Sequence, residues 1–183
     1  GFGHRVMISN TTGAQNTAVG AYALDANTTG GLNVAVGYGA VGANTTGSYN
    51  TGIGRNSLAS VTTGENNTAV GMNALYSNTA SNNTALGSEA LVYNTTGSSN
   101  TAVGGSALGA NTTGQNNVAV GRNTLVANTT GHSNVAVGYG VLNANTTALY
   151  NTGLGMQALW LNTTGANNTA LGYAALYTNS TGD

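Results

Sequence analysis

Residues 16–32 read NTAVGAYALDANTTGGL, and variants of this 17-residue string fill the rest of the chain. The next copy, residues 33–49, reads NVAVGYGAVGANTTGSY, so the same residue classes return at the same phase. A fixed period of this length is typical of solenoids, in which each repeat builds one coil that stacks on the next. We number the repeat from Asn16, which is position 1, to Leu32, which is position 17.

The asparagine at position 1 fixes the register of the whole chain. Its copies are Asn16, Asn33, Asn50, Asn67, Asn83, Asn100, Asn117, Asn134, Asn151 and Asn168. Neighbouring copies are 17 residues apart, except where the turn Asn78-Thr79-Ala80 is one residue short. Both ends of the sequence fall inside a repeat, so we interpret residues 1–183 as a single repeat array, a fragment of a longer fibrous protein.

The composition excludes several classes of protein. Of the 183 residues, 29 are Gly, 28 Asn and 29 Thr, and Pro and Cys are absent. Disordered chains also have low hydrophobicity, but they rarely place an apolar residue at a fixed phase throughout. The net charge is −1, with no lysine and three arginines, so the chain lacks the basic surface with which proteins bind nucleic acids and anionic membranes. We therefore expect an ordered protein with no nucleic-acid partner and no membrane insertion.

Two apolar columns predict the fold. Position 4 is Val, Ile, Leu or Phe, and position 9 is almost always Leu; we expect both to line the interior. The runs between glycines suit strands of three to five residues and leave no room for a helix. The sequence therefore predicts an all-β protein, a parallel β-solenoid of about eleven 17-residue coils.

Glycine occupies position 5 in every copy, and we interpret these residues as structural turn glycines. They are Gly3, Gly20, Gly37, Gly54, Gly71, Gly87, Gly104, Gly121, Gly138, Gly155 and Gly172. Such regularity indicates a backbone conformation or a close approach that a Cβ atom would forbid. The Asn-Thr-Thr-Gly string at positions 12–15 predicts the second corner.

Stacking brings identical residues to a spacing of about 4.8 Å, so asparagines at positions 1 and 12 can form amide ladders.

A single coil of this kind has a small apolar core. Burying one Val and one Leu contributes about 3 to 6 kcal/mol per coil, against roughly 1 to 2 kcal/mol of backbone entropy for each residue. Three coils packed around a common apolar axis would bury more surface, which favours a homotrimer.

The strings Asn117-Val118-Ala119-Val120-Gly121 and Asn134-Val135-Ala136-Val137-Gly138 carry a resemblance. They resemble the head repeats of trimeric autotransporter adhesins, and the pattern extended by NTTG is similar to the shafts of phage tail-fibre-like proteins. The resemblance implies a left-handed parallel β-roll, three chains side by side, and a role in adhesion or host attachment. It also implies an extracellular, cell-surface or virion-fibre location and host receptors or cell-surface glycans as partners.

The residues that could support catalysis are scattered over the repeat. Asp25, Glu65 and Glu89 occupy positions 10, 16 and 7, and His4 and His132 share no position. Paired acid–base groups and metal ligands need defined proximity. Residues 37–42 match G-x-G-x-x-G, but the repeat itself generates the match. We therefore predict no enzyme activity, no cofactor and no metal.

Asparagine at position 12 also creates sequons. The candidate glycosylation sites are Asn27, Asn44, Asn94, Asn111, Asn128, Asn145 and Asn162, and further sequons occur at Asn10, Asn66, Asn82, Asn167 and Asn179. The alternative interpretation is that these asparagines are turn and ladder residues, and an inward-facing asparagine cannot carry a sugar. We favour the ladder.

The sequence leaves two functional hypotheses open. The leading one is the structural shaft of an extracellular fibre or filament, without catalysis, that serves attachment and associates with itself. The alternative is an ice-binding or glycan-binding solenoid that uses one flat Thr/Asn or aromatic face. Adjacent threonines such as Thr28 and Thr29 point to opposite sides of a strand, and no T-x-T pair recurs, which disfavours ice binding.

Overall fold

The structure, a computed structural model, describes residues 1–182. Over that range it contains ten strands of three residues each and no helix. The strands are β1 Thr17–Val19, β2 Val34–Val36, β3 Thr51–Ile53, β4 Thr68–Val70, β5 Thr84–Leu86, β6 Thr101–Val103, β7 Val118–Val120, β8 Val135–Val137, β9 Thr152–Leu154 and β10 Thr169–Leu171. Each strand covers positions 2 to 4 and ends where glycine begins the turn.

All ten strands form one parallel sheet, in which each strand pairs only with its neighbours in sequence. Thr17 lies opposite Val34, one 17-residue repeat away, whereas the shortened coil places Thr68 opposite Thr84. An isolated parallel bridge from Phe2 to Val19 adds one partial coil, so the stack holds ten strands rather than eleven. The predicted all-β parallel β-solenoid is therefore confirmed.

The core is built from positions 3, 8 and 9. Eight of the nine leucines of position 9 are fully buried, as expected, namely Leu24, Leu58, Leu75, Leu91, Leu108, Leu125, Leu142 and Leu159, whereas Leu176 in the last coil is 48 % exposed. The middle residue of every strand, alanine or glycine at position 3, is buried as well. Alanine at position 8 fills the remaining space between these two columns.

The expectation that position 4 lines the interior was wrong. Val19 and Ile53 are each 40 % exposed, and Leu86 is 48 % exposed. Successive side chains of a strand point to opposite faces, so the burial of position 3 turns both position 2 and position 4 outward. The apolar residues of position 4 therefore form a column on the surface.

Two glycines at position 3 each lie against a valine of the preceding coil. Val41 replaces leucine at position 9, and the next coil has Gly52 at position 3, where a Cβ would lie 2.6 Å from Cγ2 of Val41. Similarly, Val141 replaces alanine at position 8, and a Cβ on Gly153 would collide with its Cγ1. Packing is thus matched between neighbouring coils, as expected for a close-packed interior.

The backbone takes left-handed φ angles at positions 7, 9 and 17 of the coil. In one coil these residues are Tyr22, Leu24 and Leu32, with φ of 60°, 50° and 60°. Such values are uncommon for residues with a Cβ. Here each N–H still finds a carbonyl in a neighbouring coil, for example Leu24 N–H with the carbonyl of Ala40 at 3.1 Å. Stacking therefore holds the corners that close each coil.

Candidate interaction surfaces

The outward face of the sheet consists of positions 2 and 4 of the ten strands. Position 2 is Thr in seven strands and Val in β2, β7 and β8, and position 4 is always Val, Ile or Leu. No glycine and no charged residue occurs among these twenty side chains. We call this surface the strand face.

The strand face is regular because all its residues belong to one sheet in constant register. With strands about 4.8 Å apart and about 3.3 Å per residue, it measures roughly 43 by 10 Å. Exposed apolar side chains run from Val19 at one end to Leu171, which is 74 % exposed, at the other. A continuous apolar column such as that of position 4 marks an interaction site more often than scattered apolar residues do.

The turn glycines at position 5 lie beside the strand face. Gly104 has a φ of 131°, and a Cβ on it would lie 2.6 Å from the carbonyl carbon and oxygen of Gly121. The same close approach, glycine upon glycine, recurs along the column, for example between Gly54 and Gly71. Both the φ angle and the lack of space therefore require glycine at this position.

Position 12 carries a side-chain amide ladder through the interior. Nδ2 of Asn111 donates to Oδ1 of Asn94 at 2.7 Å and to the carbonyl of Gly114 at 2.9 Å. Asn128 repeats both bonds one coil later, with its Nδ2 2.8 Å from Oδ1 of Asn111. The ladder satisfies buried polar groups and closes the corner at the same time.

Position 1 forms a different ladder from the one expected. Oδ1 of Asn100 accepts a bond from the backbone N–H of Asn117 at 3.0 Å, and Nδ2 of Asn117 donates to the carbonyl of Gly131 at 2.9 Å. Each step from Asn16 to Asn168 has such a bond from a backbone N–H. Position 1 therefore ties side chains to the backbone, and amide–amide bonds are the minority.

The candidate asparagines of position 12 are buried, which contradicts the hypothesis that they are glycosylated. The seven candidates Asn27, Asn44, Asn94, Asn111, Asn128, Asn145 and Asn162 are all fully buried. Nδ2, the atom that would carry the sugar, is engaged in the ladder, so none of them can bear a glycan in the folded coil. Among the remaining sequons, Asn66, Asn82 and Asn167 are exposed.

The two threonines of the corner have different surroundings. At position 13 the hydroxyl bonds within the stack: Oγ1 of Thr28 donates to the carbonyl of Thr45 at 2.9 Å. At position 14 the side chains, such as Thr29 and Thr46, are exposed. The corner therefore presents one column of hydroxyl groups, and the regular threonines of the strand face form another.

A groove crosses three successive coils on the side of positions 7 to 11. It is lined by Asn56, Asn73, Tyr76, Glu89, Val92 and Tyr93 and has a volume of about 380 Å³. Asn56, Asn73 and Glu89 all occupy position 7, and the two tyrosines are 40 % and 62 % exposed. Sequence analysis missed this groove because its tyrosines lie at positions 10 and 11 and belong to no common column.

Other aromatic residues pack against one another between neighbouring coils. Trp160 and Tyr177 are stacked with ring centres 6.2 Å apart and planes 3° apart. His4 and Tyr22 meet edge to face at 5.6 Å. These contacts continue the stacking of coils at the surface, and each ring has a neighbouring ring as its partner.

Within residues 1–182, no three His, Asp or Glu side chains cluster in a way that could hold a metal ion. The Gly37–Gly42 string follows β2 as a turn, with no helix after it to face a pyrophosphate. No helix in the described part of the chain is long and apolar enough to cross a membrane.

Comparison of the chain with protein-family models, with curated proteins and with solved structures gave no match.

Proposed function

We propose that this chain is the shaft of an extracellular fibre, in which several copies associate side by side through their strand faces. The observation that carries the proposal is the composition of that face. Every outward side chain on ten strands is Thr, Val, Ile or Leu, whereas positions 6, 7 and 16 accept Arg, Glu, Gln, Ser or Gly. A surface kept free of charge over its whole length is typical of one that is covered by a partner.

A second copy of the chain is the partner that fits this face best. The face repeats at the strand spacing, so two identical arrays can pack in register along their length. Its area grows with the number of coils, which suits association of long arrays. The three-chain arrangement and the left-handed coil implied by the resemblance remain predictions, as does the role in attachment.

The native mass of the purified chain tests the proposal. We expect a particle of three times the chain mass of 18.0 kDa. Replacing Val103 and Val120 by Lys places two charges in the middle of the strand face and should release monomers. The matched control replaces Thr113 and Thr130 by Lys, since these exposed residues occupy position 14 of the same coils. A wild-type monomer, or dissociation by the control alone, would contradict the proposal.

The location can be tested separately. An antibody raised against the folded chain should label the surface of the intact cell or particle that makes it. Label that appears only after permeabilisation or disruption would contradict an exposed fibre.

The strand face also favours the alternative of ice binding. Seven of its strands, for example β3 and β4, place Thr at position 2 and an aliphatic residue at position 4 on the same face of the sheet. Regular hydroxyls at about 4.8 Å could order water in the same register. This function requires the face to be free, so a monomer that inhibits ice recrystallisation would favour it over the shaft.

A further inference from the structure

We infer that the groove lined by Asn56, Asn73, Tyr76, Glu89, Val92 and Tyr93 binds a neutral saccharide. Its volume of about 380 Å³ lies in the range of pockets that hold small molecules. The inference goes beyond the proposed shaft, and it does not depend on self-association, because no lining residue belongs to the strand face.

The polar side of the groove suits a ligand rich in hydroxyl groups. Asn56, Asn73 and Glu89 lie in consecutive coils, so their side chains start about 4.8 Å apart. The backbone fixes this spacing: Asn73 N–H donates to the carbonyl of Arg55 at 3.0 Å, and Glu89 N–H to that of Met72 at 2.9 Å. Amides both donate and accept hydrogen bonds, and a carboxylate accepts them, which matches hydroxyl groups that do both.

The other side of the groove is aromatic. Tyr76 and Tyr93 present half-exposed rings, and only Val92 is aliphatic. An aromatic face carries partial negative charge, and it attracts the slightly positive C–H bonds on one side of a pyranose ring. A purely apolar ligand would leave the three polar side chains without partners, whereas a sugar uses both walls.

The charge of the groove narrows the class of saccharide. No lysine, arginine or histidine lines it, and Glu89 is its only ionisable group apart from the two tyrosines. A sialic acid or a sulfated sugar would bring a negative charge towards Glu89 without a cation to balance it. The ligand class that fits is therefore a neutral hexose or N-acetylhexosamine unit.

The position of the groove is specific to these coils. At position 7 the neighbouring coils have Gly39 on one side and Ser106 on the other. At position 10 those coils have Gly42 and Gly109, which offer no ring. The combination of polar and aromatic residues that lines the groove is therefore not repeated in the two adjoining coils.

Saturation-transfer NMR and calorimetry on the intact chain test the inference with four probes: lactose, maltose, cellobiose and N,N′-diacetylchitobiose. At least one should bind saturably in the millimolar range. Tyr93→Ala should weaken that binding roughly tenfold, because it removes the more exposed ring, and Glu89→Gln should weaken it less. Tyr49→Ala is the matched control, since Tyr49 is 57 % exposed and lies at position 17, outside the groove.

Three results would overturn the inference. They are no saturable binding of any of the four probes, equal loss of binding in Tyr49→Ala and Tyr93→Ala, or binding of 3′-sialyllactose as tight as that of lactose. The melting temperature of Tyr93→Ala should equal that of the wild type, so that loss of binding is not loss of fold. Its native mass should also be unchanged, which separates failure of this inference from failure of the shaft proposal.

Discussion

Asn44 and Val61 are consecutive members of the position-12 column, and the amide ladder stops between them. Nδ2 of Asn44 donates to Oδ1 of Asn27 at 2.7 Å, but Oδ1 of Asn44 is buried and has no hydrogen-bond donor. Val61 stands where every other coil has asparagine, and it has no N–H in its side chain to offer. The ladder resumes at Asn78, whose Oδ1 accepts from Asn94 at 2.7 Å.

Val61→Asn should therefore stabilise the protein. The new Nδ2 can donate to Oδ1 of Asn44, and an unsatisfied buried acceptor costs about 1 to 3 kcal/mol. We expect the free energy of unfolding to rise by about 1 kcal/mol after the lost burial of valine is subtracted. Chemical denaturation measures it, and Val61→Ala, which supplies no amide, should be less stable than the wild type. A destabilised Val61→Asn variant would show that this break in the ladder costs nothing.

Asn111→Ala should be among the most destabilising changes at the NTTG corner. It removes the donor to Oδ1 of Asn94 and one of the two acceptors of Asn128, which keeps only its bond to the carbonyl of Gly131. We expect a loss of about 2 to 5 kcal/mol, measured by denaturation. Gln115→Ala is the control, because Gln115 is exposed in the same coil. Similar midpoints for the two variants would contradict a stabilising role for the ladder.

Gly104→Val should disrupt its coil far more than Gly105→Ser. At Gly104 the left-handed φ of 131° and the backbone of Gly121 both exclude a side chain, whereas a Cβ on Gly105 would have its nearest neighbour, the carbonyl oxygen of Ser88, 4.0 Å away. A valine at φ > 0 is a strong outlier and costs about 1 to 3 kcal/mol before the collision is counted. Thermal melting compares the variants. Equal melting temperatures would refute the need for glycine at position 5.

Leu108→Asn should be severely destabilising, and Tyr173→Ser nearly silent. Leu108 is fully buried, so the change removes burial worth about 1.5 to 3 kcal/mol and places an amide where no ladder runs. Tyr173 is 72 % exposed. Denaturation midpoints decide between the two. If the denaturation midpoint of the Tyr173 variant fell as far as that of the Leu108 variant, the assignment of buried and exposed positions would have to be reversed.

The repeat period predicted the coil and its register. Glycine recurs at position 5 of every copy, and because only glycine fits that place in the coil, it fixes the phase of the repeat. It also predicted the burial of position 9, since leucine there has no polar alternative in any copy. It failed for position 4. Val103 is as hydrophobic as a core residue, but hydrophobicity does not say whether a side chain faces its own coil or a surface. The alternation around Ala102, in a strand of only three residues, decides that Val103 points outward.

The groove could not be predicted from the columns. Tyr76 and Tyr93 occupy different positions, and their approach depends on how the corner between positions 7 and 11 folds. The left-handed φ angles of that corner, such as 52° at Leu91, are unusual for leucine, so residue propensities do not predict them. They are imposed by hydrogen bonds to the neighbouring coils, which only the assembled stack supplies.

The contact between Val41 and Gly52 has a consequence for how such an array can change by duplication and loss of its gene segments. The 17-residue copies look interchangeable, yet a recombination that replaced residues 50–66 by a copy with alanine at the third position would drive a methyl group into Val41. The same holds for Val141 and Gly153. At these two places the heritable unit is a pair of coils, residues 33–66 and 134–167, so the array can be lengthened or shortened freely only between such pairs.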